Sequence, residues 1–378
     1  MAENPQTVRI ERLGAQGDGV AVTPEGPVHV PFALPGETVE ISGAGQRRRL
    51  GRVVSASPDR IAPFCPHFGE CGGCRLQHLD EAAYRAWKSS LLAEALAREG
   101  IAAAIAPIQV FARASRRRAV FSAIRDGEAI RFGFARRDSD RIVDVTQCGV
   151  LEPRIGSRIA LLRGLAGMLA PRRGAMKFAA VATDAGLDLA AETGAPVSEP
   201  ARRKAIGLAA ADGVARLSLN GETLIEAARP ELAAGIARVR PPASTFVQAV
   251  AQAEDAMARI ALQHLSACAH VADLFSGHGA FGLRLAGHSR VDAFDNSAAA
   301  LAAMDEAWRR TGGRLKAIAT QRRDLMRSPL DAAELETFDG VVFDPPRAGA
   351  EAQSRELAKS RVRRIVAISC NPVTLARD

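Results

Sequence analysis

Apolar and polar positions first alternate at strand spacing. Val8-Arg9-Ile10 alternates, Gly14 to Gly19 is rich in turn residues, and residues 28–31, 38–41 and 50–54 are short apolar-rich runs. Short strands divided by Gly and Pro at close intervals predict a small OB-like β-barrel over residues 7–57. The following stretch, 64–74, is too glycine-rich for a regular element. Over 80–98 the period changes. Tyr84, Trp87, Leu91, Leu92 and Leu96 follow helical spacing behind Asp80, a ready N-cap.

Residues 105–240 read as an α+β domain. Strand-like runs cover 118–124, 129–135, 177–183, 186–190, 214–219 and 223–226, and Asp126-Gly127, Asp184-Ala185 and Asn220-Gly221 are hairpin signals. Pro241-Pro242 marks a boundary. From about residue 250 helix and strand patterns alternate, which predicts a parallel, doubly wound α/β sheet. The chain has 378 residues, more than the roughly 250–300 that one hydrophobic core usually serves. The expected division is 1–60 for the barrel, 61–240 for the cysteine segment with the α+β domain, and 241–378 for the α/β domain.

Composition narrows the class. A hydrophobic share of 47% is enough for packed cores. No uncharged apolar run reaches the roughly 18 residues a membrane-spanning helix needs. The start, Met1-Ala2-Glu3-Asn4-Pro5-Gln6, has neither a basic nor an apolar leader region, so a cytoplasmic protein is expected. The net charge of +8 favours a polyanionic partner. The excess concentrates in residues 113–144, with nine Arg against five acids, and Arg47-Arg48-Arg49 forms a second cluster. A solvated strand surface would explain either cluster alone equally well.

Six cysteines stand at 65, 71, 74, 148, 268 and 370. In a cytosolic chain they point to metal binding or catalysis before disulfides. Cys65-x5-Cys71-x2-Cys74 with the later Cys148 offers four thiolates, a set that suits zinc and a [4Fe–4S] cluster equally well. His67 and His78 read as surface residues beside them.

The sharpest local motif runs from Val271 to Gly282. A buried strand enters Gly277-His278-Gly279-Ala280-Phe281-Gly282 and then a helix. Its glycines permit a tight turn and close approach of a nucleotide-like ligand to the backbone. Asp295, at the end of the next strand, can accept hydrogen bonds from both hydroxyls of a ribose. That pair suits NAD and S-adenosylmethionine (SAM) alike. Two further strands deliver Asp344-Pro345-Pro346-Arg347-Ala348-Gly349 and Ser369-Cys370-Asn371-Pro372 at their carboxyl ends, where open α/β sheets carry their chemistry. Hydride transfer has no evident need of a Cys there, whereas methylation of uracil carbon 5 does. That carbon is a poor nucleophile until a thiolate adds at carbon 6 and turns the ring into an enolate.

With these motifs the chain resembles the RNA 5-methyluridine methyltransferases, SAM-dependent enzymes acting on ribosomal or transfer RNA. The likeness runs along nearly the whole chain, with an N-terminal barrel resembling the RNA-binding TRAM domain. It implies a C-terminal Rossmann-like methyltransferase fold, Cys370 as nucleophile, and Gln248, Phe275, Gly277, Gly279, Asp295, Asp324 and Asp344 around SAM and the target base. The Cys quartet resembles the iron–sulfur ligands of the ribosomal branch. This implies a structural [4Fe–4S] cluster on Cys65, Cys71, Cys74 and Cys148 and favours 23S ribosomal RNA over transfer RNA. The expected partner is RNA, with no membrane and a monomeric chain. Two positions depart from the family pattern, Ala280 where Asn is common and Asp295 where Glu is common.

The family's general base, a Glu well beyond the catalytic Cys, has no counterpart before Asp378. A C-terminally incomplete copy is therefore expected, with the strand near 364–368 as an uncovered edge and a methylated RNA adduct stalled on Cys370. Two competing classes remain at this point: an RNA-binding or RNA-folding protein without turnover, and an iron–sulfur redox protein.

Overall fold

A computed structural model describes residues 6–378. Met1 to Pro5, part of the start read above, lie outside the described residues. The chain divides into two compact units, one of residues 1–110 with 133–145 and one of residues 111–132 with 146–378.

The first unit opens as a β-rich region. Strands Gln6–Arg9, Thr38–Ser42 and Arg49–Ser55 form one three-stranded antiparallel sheet, and Arg12–Leu13, Gly19–Thr23 and Gly26–Val30 form another. The predicted alternation holds here. Val8, Ile10, Val28, Val30, Val39 and Ile41 point inward and share one core. Glu37 is fully buried beside it and is bound by Arg60 through Nε (2.5 Å) and Nη2 (2.8 Å). The helix expected over 80–98 spans Glu81–Arg98, and the Asp80 carboxylate caps it by accepting from Ala83 N at 2.8 Å.

In the second unit the strands expected across the α+β region form close to their predicted places. They include Arg118–Asp126, Ala175–Thr183, Gly186–Glu192, Arg216–Leu219 and Glu222–Glu226. Helices Ile159–Leu169 and Glu199–Ala211 cross between them. Phe121 and Phe132 stack at 4.6 Å between ring centroids, and Phe178 meets Phe132 edge-on at 6.0 Å. All three rings are fully buried.

The C-terminal half of this unit is a Rossmann-like α/β sheet of five parallel strands. Their order is Ile318–Arg322, Arg290–Asp295, His270–Leu274, Gly340–Phe343, Arg364–Ala367. The chain starts on the middle strand, winds one way, then crosses to wind the other. This reversal opens a crevice beyond the carboxyl ends of His270–Leu274 and Gly340–Phe343. Buried on both faces, these central strands read as continuous apolar runs broken by one acid, Asp273. Edge strand Arg364–Ala367 is mostly exposed. Among the described residues no helix is long and apolar enough to cross a membrane.

The aromatic core yields a stability prediction. Phe121→Ala empties a fully buried ring site and should lower the unfolding free energy by about 3–5 kcal/mol. Urea denaturation would show this as a lower midpoint at unchanged slope.

Candidate active site

Four segments meet where the sheet reverses. The first is the turn after His270–Leu274. Phe275 there holds φ 59°, a left-handed conformation rare for a bulky side chain, and Gly277 and Gly279 follow at 54° and 90°. At Gly279 an added Cβ would lie 2.7 Å from Met304 Cγ, and at Gly282 only 2.6 Å from the Asp273 carboxylate. The loop therefore folds back tightly on its own sheet and leaves the Gly277 side open, with no heavy atom within 4 Å of a Cβ there.

The second segment carries Asp295 at the end of the neighbouring strand. Its Oδ2 accepts from Gly277 N at 2.9 Å, and its Oδ1 accepts from Ser297 N at 2.8 Å. These two backbone donors fix the carboxylate against the glycine turn, where a ribose would lie. The third segment carries Gln248, which donates from Nε2 to Asp344 Oδ2 at 3.0 Å. The second Asp344 oxygen makes no hydrogen bond among the described residues.

The fourth segment carries Cys370. Phe343 and Ala367 are register partners on adjacent parallel strands, and Ile368 N donates to Phe343 O at 2.9 Å. Asp344 and Cys370 thus leave neighbouring strand ends. Cys370 is exposed. Asn371 caps the short helix Pro372–Arg377 by accepting from Val373 N at 3.1 Å and reaches Arg347 O from Nδ2 at 3.4 Å. Arg377 Nη2 donates to Ala348 O at 3.0 Å, which ties the Cys370 segment to the Asp344 loop.

Asp324 lies at the same end of the sheet but stands apart. It is exposed, and its carboxylate accepts from Met326 N at 3.1 Å within its own turn. A cavity of about 450 Å³ opens beside it, lined by Leu325, Met326, Ala350, Arg355 and Arg377.

Two of the carboxyl groups at this crevice, Asp273 and Asp344, are buried enough to titrate above their ordinary range. Asp273 is buried in the middle strand, and its Oδ2 has no partner among the described residues. Burial pushes its pKa up to about 8; the Gly282 N–H opposes the rise, and Asp344 and Asp295 add to it. Burial also lifts Asp344 to about 6, opposed by the Gln248 hydrogen bond and aided by Glu254. His278, between the two glycines, is pushed down to about 4 by burial and by Arg117 and Arg284, so it is neutral at pH 7. Asp273, His278 and Glu254 are the site groups that sequence reasoning passed over. The one available signal was an acid inside the apolar run Val271-Ala272-Asp273-Leu274.

The cysteine quartet was expected to hold a cluster. Cys65, Cys71 and Cys74 belong to the first unit and Cys148 to the second, and no three His, Cys, Asp or Glu side chains among the described residues are arranged to hold a metal ion. Local bonds account for the loop. Gln77 Oε1 accepts from Cys65 N at 3.2 Å, and Cys71 Sγ accepts from Gly73 N at 3.4 Å. The structure thus lends the expected [4Fe–4S] or zinc centre no support among the described residues. His78 also departs from expectation: it is buried against Phe68 and Phe32, at 5.2 and 6.1 Å between centroids, not at the surface. Within the basic stretch 113–144, Arg117 is buried on Glu254 and Arg137 is paired with Asp18.

Comparisons with known proteins bear on the family and the fold. Residues 237–378 match the model of the family described as tRNA (Uracil-5-)-methyltransferase. An uncharacterized RNA methyltransferase of Brucella suis is 46% identical over 98% of this chain and 89% of its own length. The 23S rRNA (uracil(1939)-C(5))-methyltransferase RlmD of Chromohalobacter salexigens is 35% identical over 98% of this chain and 81% of its own. In fold, the chain resembles the tRNA (uracil-54, C5)-methyltransferase of Pyrococcus abyssi, solved with S-adenosyl-L-homocysteine. The TM-score is 0.74 at 20% identity, over 98% of this chain and 92% of that one.

The buried carboxyl gives a pH prediction. Between about pH 4 and 8 the folded state keeps the Asp273 proton and the unfolded state does not, so stability falls as pH rises, by up to about 1.4 kcal/mol per unit. The melting temperature should drop from pH 5 to pH 8, and Asp273→Asn should flatten that drop. An Asn variant with the full wild-type slope would place the proton elsewhere. With its nucleotide-type loop, its strand-end Cys and these relatives, the chain belongs to the RNA (uracil-C5)-methyltransferase family.

Proposed function

We propose that this protein methylates carbon 5 of a uridine in RNA through a covalent bond between Cys370 and carbon 6 of the base. The carrying observation is that Asp344 and Cys370 follow the ends of adjacent, hydrogen-bonded strands beside the glycine turn. SAM, when bound, supplies a methyl group on a sulfonium. The tight glycine turn and the twice-held Asp295 fit its ribose, and the cavity beside Asp324 is the space we assign to its adenine ring.

The protein's own part is to prepare the uracil. The Cys370 sulfur forms a bond to carbon 6, and the ring's π electrons move towards the carbon 4 oxygen, which makes carbon 5 nucleophilic. Asp344, raised to about 6 yet ionised at pH 7.5, has an oxygen available to accept the ring N–H and orient the base. Carbon 5 then takes the methyl group as the methyl–sulfonium bond breaks, its proton passes to solvent water at the exposed Cys370 end of the crevice, and the thiolate leaves as the double bond returns. The base must leave its stack to reach the crevice. Arg116, Arg118 and Arg347 have no carboxylate partner among the described residues, which leaves their charge for phosphates.

The 23S ribosomal RNA is the substrate we favour. The relative named for that RNA shares 35% identity along the chain, whereas the transfer RNA enzyme resembles it in fold alone. We assign the N-terminal β-rich region a TRAM-like role on the RNA backbone. No step passes through a metal cluster.

Cys370→Ala should abolish methyl transfer to 23S ribosomal RNA, measured as 5-methyluridine by mass spectrometry, while calorimetric SAM affinity stays within about twofold. Retained turnover would remove Cys370 from this role. Methylation of transfer RNA alone would overturn the choice of substrate.

A further inference from the structure

Behind the crevice lies an ion triad that none of the steps above uses. Arg117 precedes strand Arg118–Asp126, Glu254 sits in the first turn of helix Ala251–Leu265, and Arg284 lies in the short helix Gly282–Leu285. Arg117 Nη2 donates to Glu254 Oε2 at 2.6 Å, and Arg284 Nη2 approaches Glu254 Oε1 at 3.0 Å. The three side chains are only 8%, 3% and 8% exposed. Desolvation offsets most of what such a triad adds to stability, so its connections are the informative part.

Those connections run to both sides of the cofactor site. Arg117 Nε donates to Gln248 O at 3.1 Å, and Arg117 N donates to Ala249 O at 2.8 Å. Arg284 Nη1 donates to Ala280 O in the glycine loop. Gln248 in turn holds Asp344. One buried carboxylate therefore joins the segment that orients Asp344 to the loop that would face the cofactor.

We propose that Glu254 is a positioning residue: through Arg117 and Arg284 it fixes the Gln248 segment and the Ala280 loop relative to each other, and so sets the SAM site. This rests on the reading of the crevice as that site. Charge bookkeeping is consistent with it. His278 faces both guanidinium groups but is neutral, and Asp255 gives Arg284 a second acid at 2.6 Å.

The role has a signature that a purely structural brace lacks. Asp344 is faced by Gln248, Glu254 and Asp273, and Glu254 is faced by Arg117 and Arg284. Removing the Glu254 charge takes away a group that raises the Asp344 pKa and leaves both arginines less neutralised. Both changes move Asp344 below about 6.

The test is SAM calorimetry on the full chain from pH 5 to pH 8. Wild-type affinity should fall as pH drops through about 6, and in Glu254→Gln that midpoint should move to lower pH. The double variant Arg117→Met with Glu254→Met keeps volume and leaves Arg284 paired with Asp255. It should melt near wild type yet bind SAM about tenfold more weakly, because the Gln248 segment has lost its anchor. A folded double variant with wild-type affinity, or a folded Glu254→Gln with an unmoved midpoint, would overturn the positioning role. Wild-type protein that binds no SAM would instead overturn the reading of the crevice.

Discussion

Crowding of negative charge at one end of a parallel sheet is the constraint on which the site depends. Asp273, Asp295 and Asp344 all stand at or near the carboxyl ends of adjacent strands. Burial there holds Asp273 and Asp344 above the usual carboxylate range. The fold gives each of the three acids a different environment. Asp295 takes two backbone N–H donors and Asp344 takes one amide, while Asp273 is left buried with an oxygen unpartnered and keeps its proton. A cationic methyl donor would find a neutral acid at Asp273.

Behind the crevice lie two buried cations with a carboxylate of their own. Arg117 and Arg284 are buried where charged groups are rarely found, and both converge on Glu254. They tie down backbone that forms no strand ladder, the Gln248–Ala249 segment and the Ala280 turn. Phe275, held in a left-handed conformation, belongs to this picture: the turn is strained because the glycines after it must pass close over Met304 and Asp273.

The first unit follows a different physical plan. Its short strands enclose a small apolar core, and buried Glu37 takes Arg60 as its partner, so the polar group is satisfied locally. The cysteine loop is held the same way, by backbone and side-chain hydrogen bonds to its neighbours.

Periodicity and turn residues were enough to read most of the architecture. Alternation located the N-terminal strands, helical spacing behind Asp80 located Glu81–Arg98, and the glycine run after Val271-Ala272-Asp273-Leu274 located the nucleotide-type turn. Each is a local signal, carried by residues close together in the chain. The quoted motifs also named Gln248, Asp295, Asp344 and Cys370. What they could not give was the pairing of Gln248 with Asp344 across 96 residues, or of Arg117 with Glu254 across 137. Nor could they show that Asp273 is sealed from water while Cys370 stays exposed, or that His78 is buried. Those depend on which strands become neighbours and how much water remains between them, and only the folded sheet decides that.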